Sequence, residues 1–333
     1  MNIDHDVTVD DDLDALIHRA DLDGLVRLID DRTASRDWDG LERVRVRARA
    51  AVATGRQLWP AATLAEYRLV LLATPEYVAT VLGDPDSGRF TIGPLPEVAA
   101  QHHEWADLAP LLDPTPVAAF AAHERALRGD AVHSAALPDV LDIPTEMAPW
   151  EPAYALADYR DNDVRCDRPE LPTPTDEVIT TTDGERLDDD VDLAVRQLVE
   201  VWTSESNGTL DTTCVEGSIA VAIGALGVRR ARVVMLTPQE AMTWMAWCGA
   251  SGGAHGRRRG AAAGRFGAWW VLAALGDVLD RWPVPAAELG DVADELTWYR
   301  WDAFEPDVGW TLQLAVEDQA DGVAWAINAA DAA

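Results

Sequence analysis

From Leu13 to about Arg128 the apolar side chains recur at helical spacing: Leu13, Leu16, Ile17 and Ala20 form one stripe, and Leu22, Leu25, Val26, Leu28 and Ile29 the next. Further helices are predicted over Trp38 to Thr54, Thr63 to Ala73 and Pro75 to Leu82, separated by short Gly, Pro and Asp loops such as 83–88 (GDPDSG). Pro75, Pro96 and Pro116 suit first-turn positions, where the missing N–H costs nothing. The pattern is that of stacked helical hairpins. No strict repeat period is visible, so a HEAT-like solenoid is one option within an all-helical domain.

From Pro138 to about Asp190 the pattern breaks. Pro138, Pro144, Pro149, Pro152, Pro169, Pro172 and Pro174 interrupt a stretch dense in Asp and Glu, which excludes long helices. It reads as a surface connection with a short strand at Val178 to Thr182. Trp150 to Tyr159 is apolar enough to pack back on a domain.

The C-terminal part predicts a helix over Val191 to Ser204, a small-residue helix over Thr212 to Leu226, and a buried strand over Arg230 to Leu236 (RARVVML). Thr237-Pro238-Gln239-Glu240 then combines an N-cap, a first-turn proline and a capping-box glutamate, opening a helix from Pro238 to about Gly249. A glycine turn and a long helix from about Arg258 to Arg281 follow. Glu295 to Phe304 and Trp310 to Val316 alternate as strands, and Val323 to Ile327 either pairs with them or forms a short helix. The expected fold is mainly α: a helical-hairpin domain over 11–137, solenoid-like among its options, a Pro/acid-rich connection over 138–190, and an α+β domain with a small sheet over 191–333.

Composition sharpens this picture. The chain has 333 residues, 48% of them hydrophobic, and 14 tryptophans, which is ample for a packed core. Its net charge is −31, and all 27 basic residues are arginine. The absence of lysine fits a high-GC coding bias, and the acidity also fits a halophile; charge alone does not separate them. A field this negative repels nucleic acid and anionic membranes, so neither is an expected partner. Cys166, Cys214 and Cys248 are far apart and form no CxxC pair, which argues against a disulfide framework or a cysteine zinc site. The acidic N-terminus has no signal-like run, and the longest apolar stretch, Phe266 to Gly276, is about half a membrane span. A cytoplasmic protein is expected.

Against this background, Gly217 to Gly276 stands out. Seven arginines (Arg229, Arg230, Arg232, Arg257, Arg258, Arg259 and Arg265) face one acid, Glu240. Four of them follow the glycine turn 251–256 (SGGAHG). Converging backbone amides, a helix N-terminus and guanidinium forks are what a phosphate or carboxylate requires. Gly252, Gly253 and Gly256 would form the cradle, Arg258, Arg259 and Arg265 the clamps, with Arg258 and Arg265 on one helix face, and His255 the acid or base. The competing reading is structural. In a chain with 58 acids, buried arginines neutralise the protein's own carboxylates, and Gly260, Gly264 and Gly267 at near-helical spacing indicate close helix packing. The segment matches neither the phosphate-loop nor the dinucleotide fingerprint, and no motif names a cofactor. Trp244, Trp247, Trp269 and Trp270 flank the island, as core or as stacking partners for arginine.

Two weaker constellations remain. Glu97, His102, His103, His123 and Glu124 would supply metal ligands if their helices met, but they lack HExxH or ExxH spacing, so no metal site is assigned. Cys214 with Glu216, read at a helix start, would need His255 beside it for nucleophilic chemistry.

The segments FTIGPLPEVAA (Phe90 to Ala100), AAHERALRGD (Ala121 to Asp130), PWEPAYALADYR (Pro149 to Arg160) and above all SGGAHGRRRGAAAGRFGAWW (Ser251 to Trp270) resemble an uncharacterised family of actinobacterial proteins. The resemblance covers most of the chain after about residue 60, is consistent with the lysine-free composition and implies no activity, ligand or catalytic residue. Two functional expectations therefore stand: a binding or interaction protein, or an enzyme or small-molecule binder recognising an anionic ligand at Gly252 to Arg265.

Overall fold

The computed structural model describes residues 4–132, 136–174, 177–306 and 308–332. The chain separates into two compact units, one of residues up to Pro138 together with Asp158–Arg165, the other of Asp139–Ala157 together with residues from Cys166 onward.

The first unit is helical: α1 (Asp4–Arg19), α2 (Leu22–Ser35), α3 (Trp38–Ala53), α4 (Trp59–Leu72), α5 (Pro75–Leu82), α6 (Leu95–His102), α7 (Trp105–Leu108) and α8 (Pro116–Ala126). Asp21 and Asp37 cap α2 and α3 by accepting the N–H groups of Gly24 and Gly40. Pro75, Pro96 and Pro116 occupy first-turn positions, as expected. α4 is apolar nearly all round and is the central helix, with α2, α3, α5 and α6 packed on it. A two-stranded antiparallel pair, β1 (Asp158–Tyr159) and β2 (Val164–Arg165), belongs to this unit. Its Tyr159 hydroxyl donates to Glu97 at 2.6 Å.

The second unit holds β3 (Glu177–Thr180), α9 (Asp190–Leu198), α10 (Glu200–Ser204), β4 (Thr209–Glu216), α11 (Ile219–Ala225), β5 (Arg230–Leu236), α12 (Pro238–Ala250), α13 (Ala261–Leu275), α14 (Ala286–Glu295), β6 (Thr297–Asp302), β7 (Trp310–Asp318) and β8 (Val323–Asp331). Six strands form one antiparallel sheet in the order β3-β5-β6-β7-β8-β4. α11 covers one face through Ile219, Ala222 and Ile223 on Val215, Val233, Trp301 and Ala326. α12 packs against β5, β6 and β7, and the Trp244 indole donates to the Thr311 carbonyl at 2.9 Å. α13, apolar on every side except for Arg265, lies against α12, α9 and α14. The result is α+β, as the sequence predicts. No helix among the described residues is long and apolar enough to cross a membrane.

Three expectations are corrected. Thr212 to Leu226 is not one helix: Thr209 to Glu216 pairs with β8 along its whole length, Gly217 turns at φ +122°, and only Ile219–Ala225 is helical. β-branched Thr212, Thr213 and Val215 favour that strand once a partner exists. The helix expected over Val191 to Ser204 breaks at Val199 into α9 and α10. The long helix does not begin at Arg258 but at Ala261, because Gly260 adopts φ +98°, and it ends before Gly276. Arg258 and Arg265 therefore share no helix face. Val323 to Asp331 settles as a strand rather than a helix.

Gly264 sets the approach of α13 to α12: a Cβ there would overlap the Ala246 carbonyl oxygen and sit 2.8 Å from the Ala250 Cβ. Gly264→Leu is expected to destabilise by about 1–3 kcal/mol through overpacking. Thermal denaturation should register a drop of roughly 2–4 °C per kcal/mol, and an unchanged melting temperature would refute the close-packing role.

Candidate functional site

The glycine turn and the arginines after it do gather carboxylates, and those carboxylates are the protein's own. Arg265, from the first turns of α13, is fully buried, as is the side chain of its partner Glu151. Nε and Nη2 donate to the two Glu151 oxygens at 2.7 Å each, Nη1 to the Pro144 carbonyl at 2.7 Å, and Nη2 also to the Glu146 carbonyl at 3.1 Å. Glu151 in turn accepts the Ala148 N–H (2.8 Å), the Tyr154 hydroxyl (2.7 Å) and the Trp269 indole (2.9 Å). Burial would raise the Glu151 pKa, but the hydrogen bonds and charge of Arg265 outweigh it and hold the carboxyl below its usual range. Burial also drives the Tyr154 phenol well above its usual value. The Arg265 guanidinium lies 5.3 Å from the Trp269 ring, so one of the flanking tryptophans does stack on arginine.

The turn itself closes on Asp331, near the end of β8. Gly256 N–H donates to the Gly252 carbonyl at 2.9 Å, and Gly253 takes the left-handed conformation at φ +66°. That opens a concavity in which Asp331, 1% exposed, accepts the Ala254 N–H at 2.6 Å and the Ser206 hydroxyl at 3.0 Å. A Cβ at Gly253 would overlap the carboxylate, and one at Gly252 would overlap Gly256 backbone. The Ser251 hydroxyl accepts the Trp202 indole at 3.0 Å beneath the turn.

The other predicted residues are dispersed. His255 is exposed at the tip of the turn and Arg258 is half-buried. Arg259 Nη1 donates to the Gln197 carbonyl at 3.0 Å, and burial lowers its pKa against the raising charge of Glu200. The Arg257 N–H donates to Glu205 at 3.1 Å. Cys214 lies mid-strand on β4, where burial and then Asp189 push its thiol up to about 12, the opposite of an activated nucleophile. Glu97 receives the Tyr159 hydroxyl, His103 contacts the Val70 carbonyl at 3.2 Å with its pKa lowered by burial, and Glu124 pairs with Arg128 at 3.1 Å. Among the described residues no three His, Cys, Asp or Glu side chains converge to hold a metal.

Glu151 and Asp331 are the residues the sequence leaves unmarked, since each is one acid among 58. The only signal was the apolar PWEPAY setting of Glu151, where a lone acid among aromatic residues implies a buried partner.

A helical unit plus a second unit with a six-stranded antiparallel sheet defines a protein of helical and α+β parts, in which Glu151 and Asp331 occupy the arginine and glycine-turn sites. The model of a family of unknown function, DUF6183, matches residues 23–333, and the chain belongs to that family. No curated protein and no solved structure matches it.

Removing either side of the buried pair leaves an uncompensated charge. Glu151→Gln and Arg265→Met should each cost about 3–5 kcal/mol in urea unfolding, with a double-mutant coupling of about 2 kcal/mol or more; strictly additive losses would contradict the pairing. Because the folded-state pKa of Glu151 is depressed, its contribution is complete above the unfolded-state value and is lost as pH falls through the folded one. Acid titration of stability should therefore show a component below the ordinary glutamate range in the wild type that is missing from the double variant.

Proposed function

We propose that this protein acts by binding a protein partner through the helical unit, not by chemistry at the Gly252 to Arg265 segment. The observation that carries the reading is an aromatic groove of about 440 Å³ between α3, α4 and the segment that follows α5, lined by Trp59, Phe90, Val52, Arg49, Asp84 and Asp86. Trp59 and Phe90 stand with centroids 5.1 Å apart and are 43% and 45% exposed. A single exposed aromatic residue is ordinary, but an adjacent pair at a concave surface is the composition of recognition sites, where such rings provide large contact area at low entropic cost.

Arg49 is held by Glu66 and by the Asp86 carbonyl, and Asp84 by Arg45 at 2.7 Å, which fixes the groove wall before anything docks. The partner segment that fits is apolar with basic flanks. The rings take its apolar side chains, and a chain of net charge −31 attracts its cationic ones. The alternative, a small anionic ligand at the glycine turn, is less well supported because Asp331 and Glu151 already fill the positions an anion would take. A cytoplasmic setting, with no nucleic-acid or membrane partner, accords with the same acidity.

Selection of a random peptide library on the full-length protein should enrich sequences with aromatic or aliphatic anchors beside Arg or Lys. The selected peptides should bind Trp59→Ala and Phe90→Ala at least about tenfold more weakly, as for interface anchors. Peptides that bind both variants as tightly as the wild type would reject the groove.

A further inference from the structure

We infer that the hollow where α2 ends, α3 begins and α4 gives way to α5 is a binding site for a small ligand that carries a carboxylate on an apolar body. This proposal does not depend on the groove around Trp59 and Phe90, which shares none of the residues that line the hollow.

The hollow measures about 370 Å³ and is lined by Thr33, Arg36, Trp38, Leu72, Ala73 and Thr74. That volume lies in the range of small-molecule sites. Local sequence builds it. Asp37 caps α3, and the chain reverses between α2 and α3 with Arg36 in the left-handed conformation at φ +55°. Pro75 opens α5 and holds Thr74 extended, which stops α4 at Leu72. Two helices end and two begin around the hollow, so their terminal dipoles offset one another and the side chains decide its sign.

The side chains there that lack an internal partner are donors. Arg36 is exposed, and its guanidinium makes no hydrogen bond or ion pair among the described residues. The indole N–H of the half-buried Trp38 is likewise unmatched. The Thr33 hydroxyl is closed off from solvent without a partner, which is costly for a polar group. The neighbouring acids are engaged elsewhere: Asp30 with Arg68 at 3.2 Å, Asp37 with Arg32 and the Gly40 N–H, Asp39 with the Tyr77 hydroxyl, and Glu76 with the Thr74 hydroxyl at 2.6 Å. Asp31 is exposed and does not line the hollow.

At physiological salt, charges beyond about 8 Å are largely screened, so the chain's net −31 does not set the potential at Arg36. A guanidinium fork without a carboxylate of its own selects an acceptor, and a carboxylate that takes two N–H bonds fits it best. Trp38, Ala73 and Leu72, the last 39% exposed, add apolar wall, which favours a hydrocarbon or aromatic body over a bare inorganic anion.

The test is ligand-observed NMR titration of the full-length protein with phenylacetate, beside phenylacetamide, 2-phenylethylamine and inorganic phosphate. Phenylacetate should bind saturably with a Kd of about 1 mM or tighter, the range open to a ligand of roughly ten heavy atoms. The amide and the amine should bind at least about tenfold more weakly, and equimolar phosphate should not displace phenylacetate. Arg36→Gln should weaken phenylacetate binding about tenfold. Because Arg36 is exposed, this variant keeps its fold, which a matching melting curve verifies. Trp59→Ala should bind phenylacetate as the wild type does, which separates this site from the aromatic groove. Wild-type affinity in Arg36→Gln, equal binding of the amide or the amine, displacement by equimolar phosphate, loss of binding in Trp59→Ala, or no saturable binding up to about 10 mM would each overturn the proposal.

Discussion

The second unit depends on one buried charge being satisfied. Arg265 brings a full positive charge into a helix that is otherwise apolar on every face, and desolvating a guanidinium is costly unless its donors are met. Glu151 and the carbonyls of Pro144 and Glu146 meet them, which pins an irregular, proline-rich segment to α13. Trp150 then donates to the Ala286 carbonyl at 2.7 Å and packs, tilted, on Trp269 with ring centroids 5.3 Å apart, carrying the constraint to α14. A segment with no secondary structure of its own thereby becomes part of the core.

The same logic governs the glycine turn. Backbone amides that converge around a left-handed glycine form an anion cradle whatever the source of the anion. Here the source is Asp331, delivered by the last strand of the sheet. Features that resemble a ligand site in sequence thus serve as internal fastenings, and an acidic chain has many carboxylates with which to fill them.

Membership of a family of unknown function adds no chemistry to this picture. What the described residues show at the surface is an aromatic groove in the helical unit and a sheet in the second unit whose β3 is paired on one side only.

Local information in the sequence determined a good deal. The α2 and α3 helices, the first-turn prolines, the RARVVML strand and the Thr237 capping box all form as the residues dictate, because each is a contact within a few positions. The small-residue spacing of Gly260, Gly264 and Gly267 likewise pointed to the helix packing that Gly264 makes with α12. Tertiary structure decided the rest. Whether Thr212 to Val215 is helix or strand depended on β8, more than 100 residues away, and Gly260 rather than any charged residue determined where α13 begins. Above all, the sequence offered an anion beside Gly253 and Arg265 as one of two readings, and did not say that Asp331 and Glu151 lie there. That choice among 58 acids is made by distance in space, which no local pattern encodes.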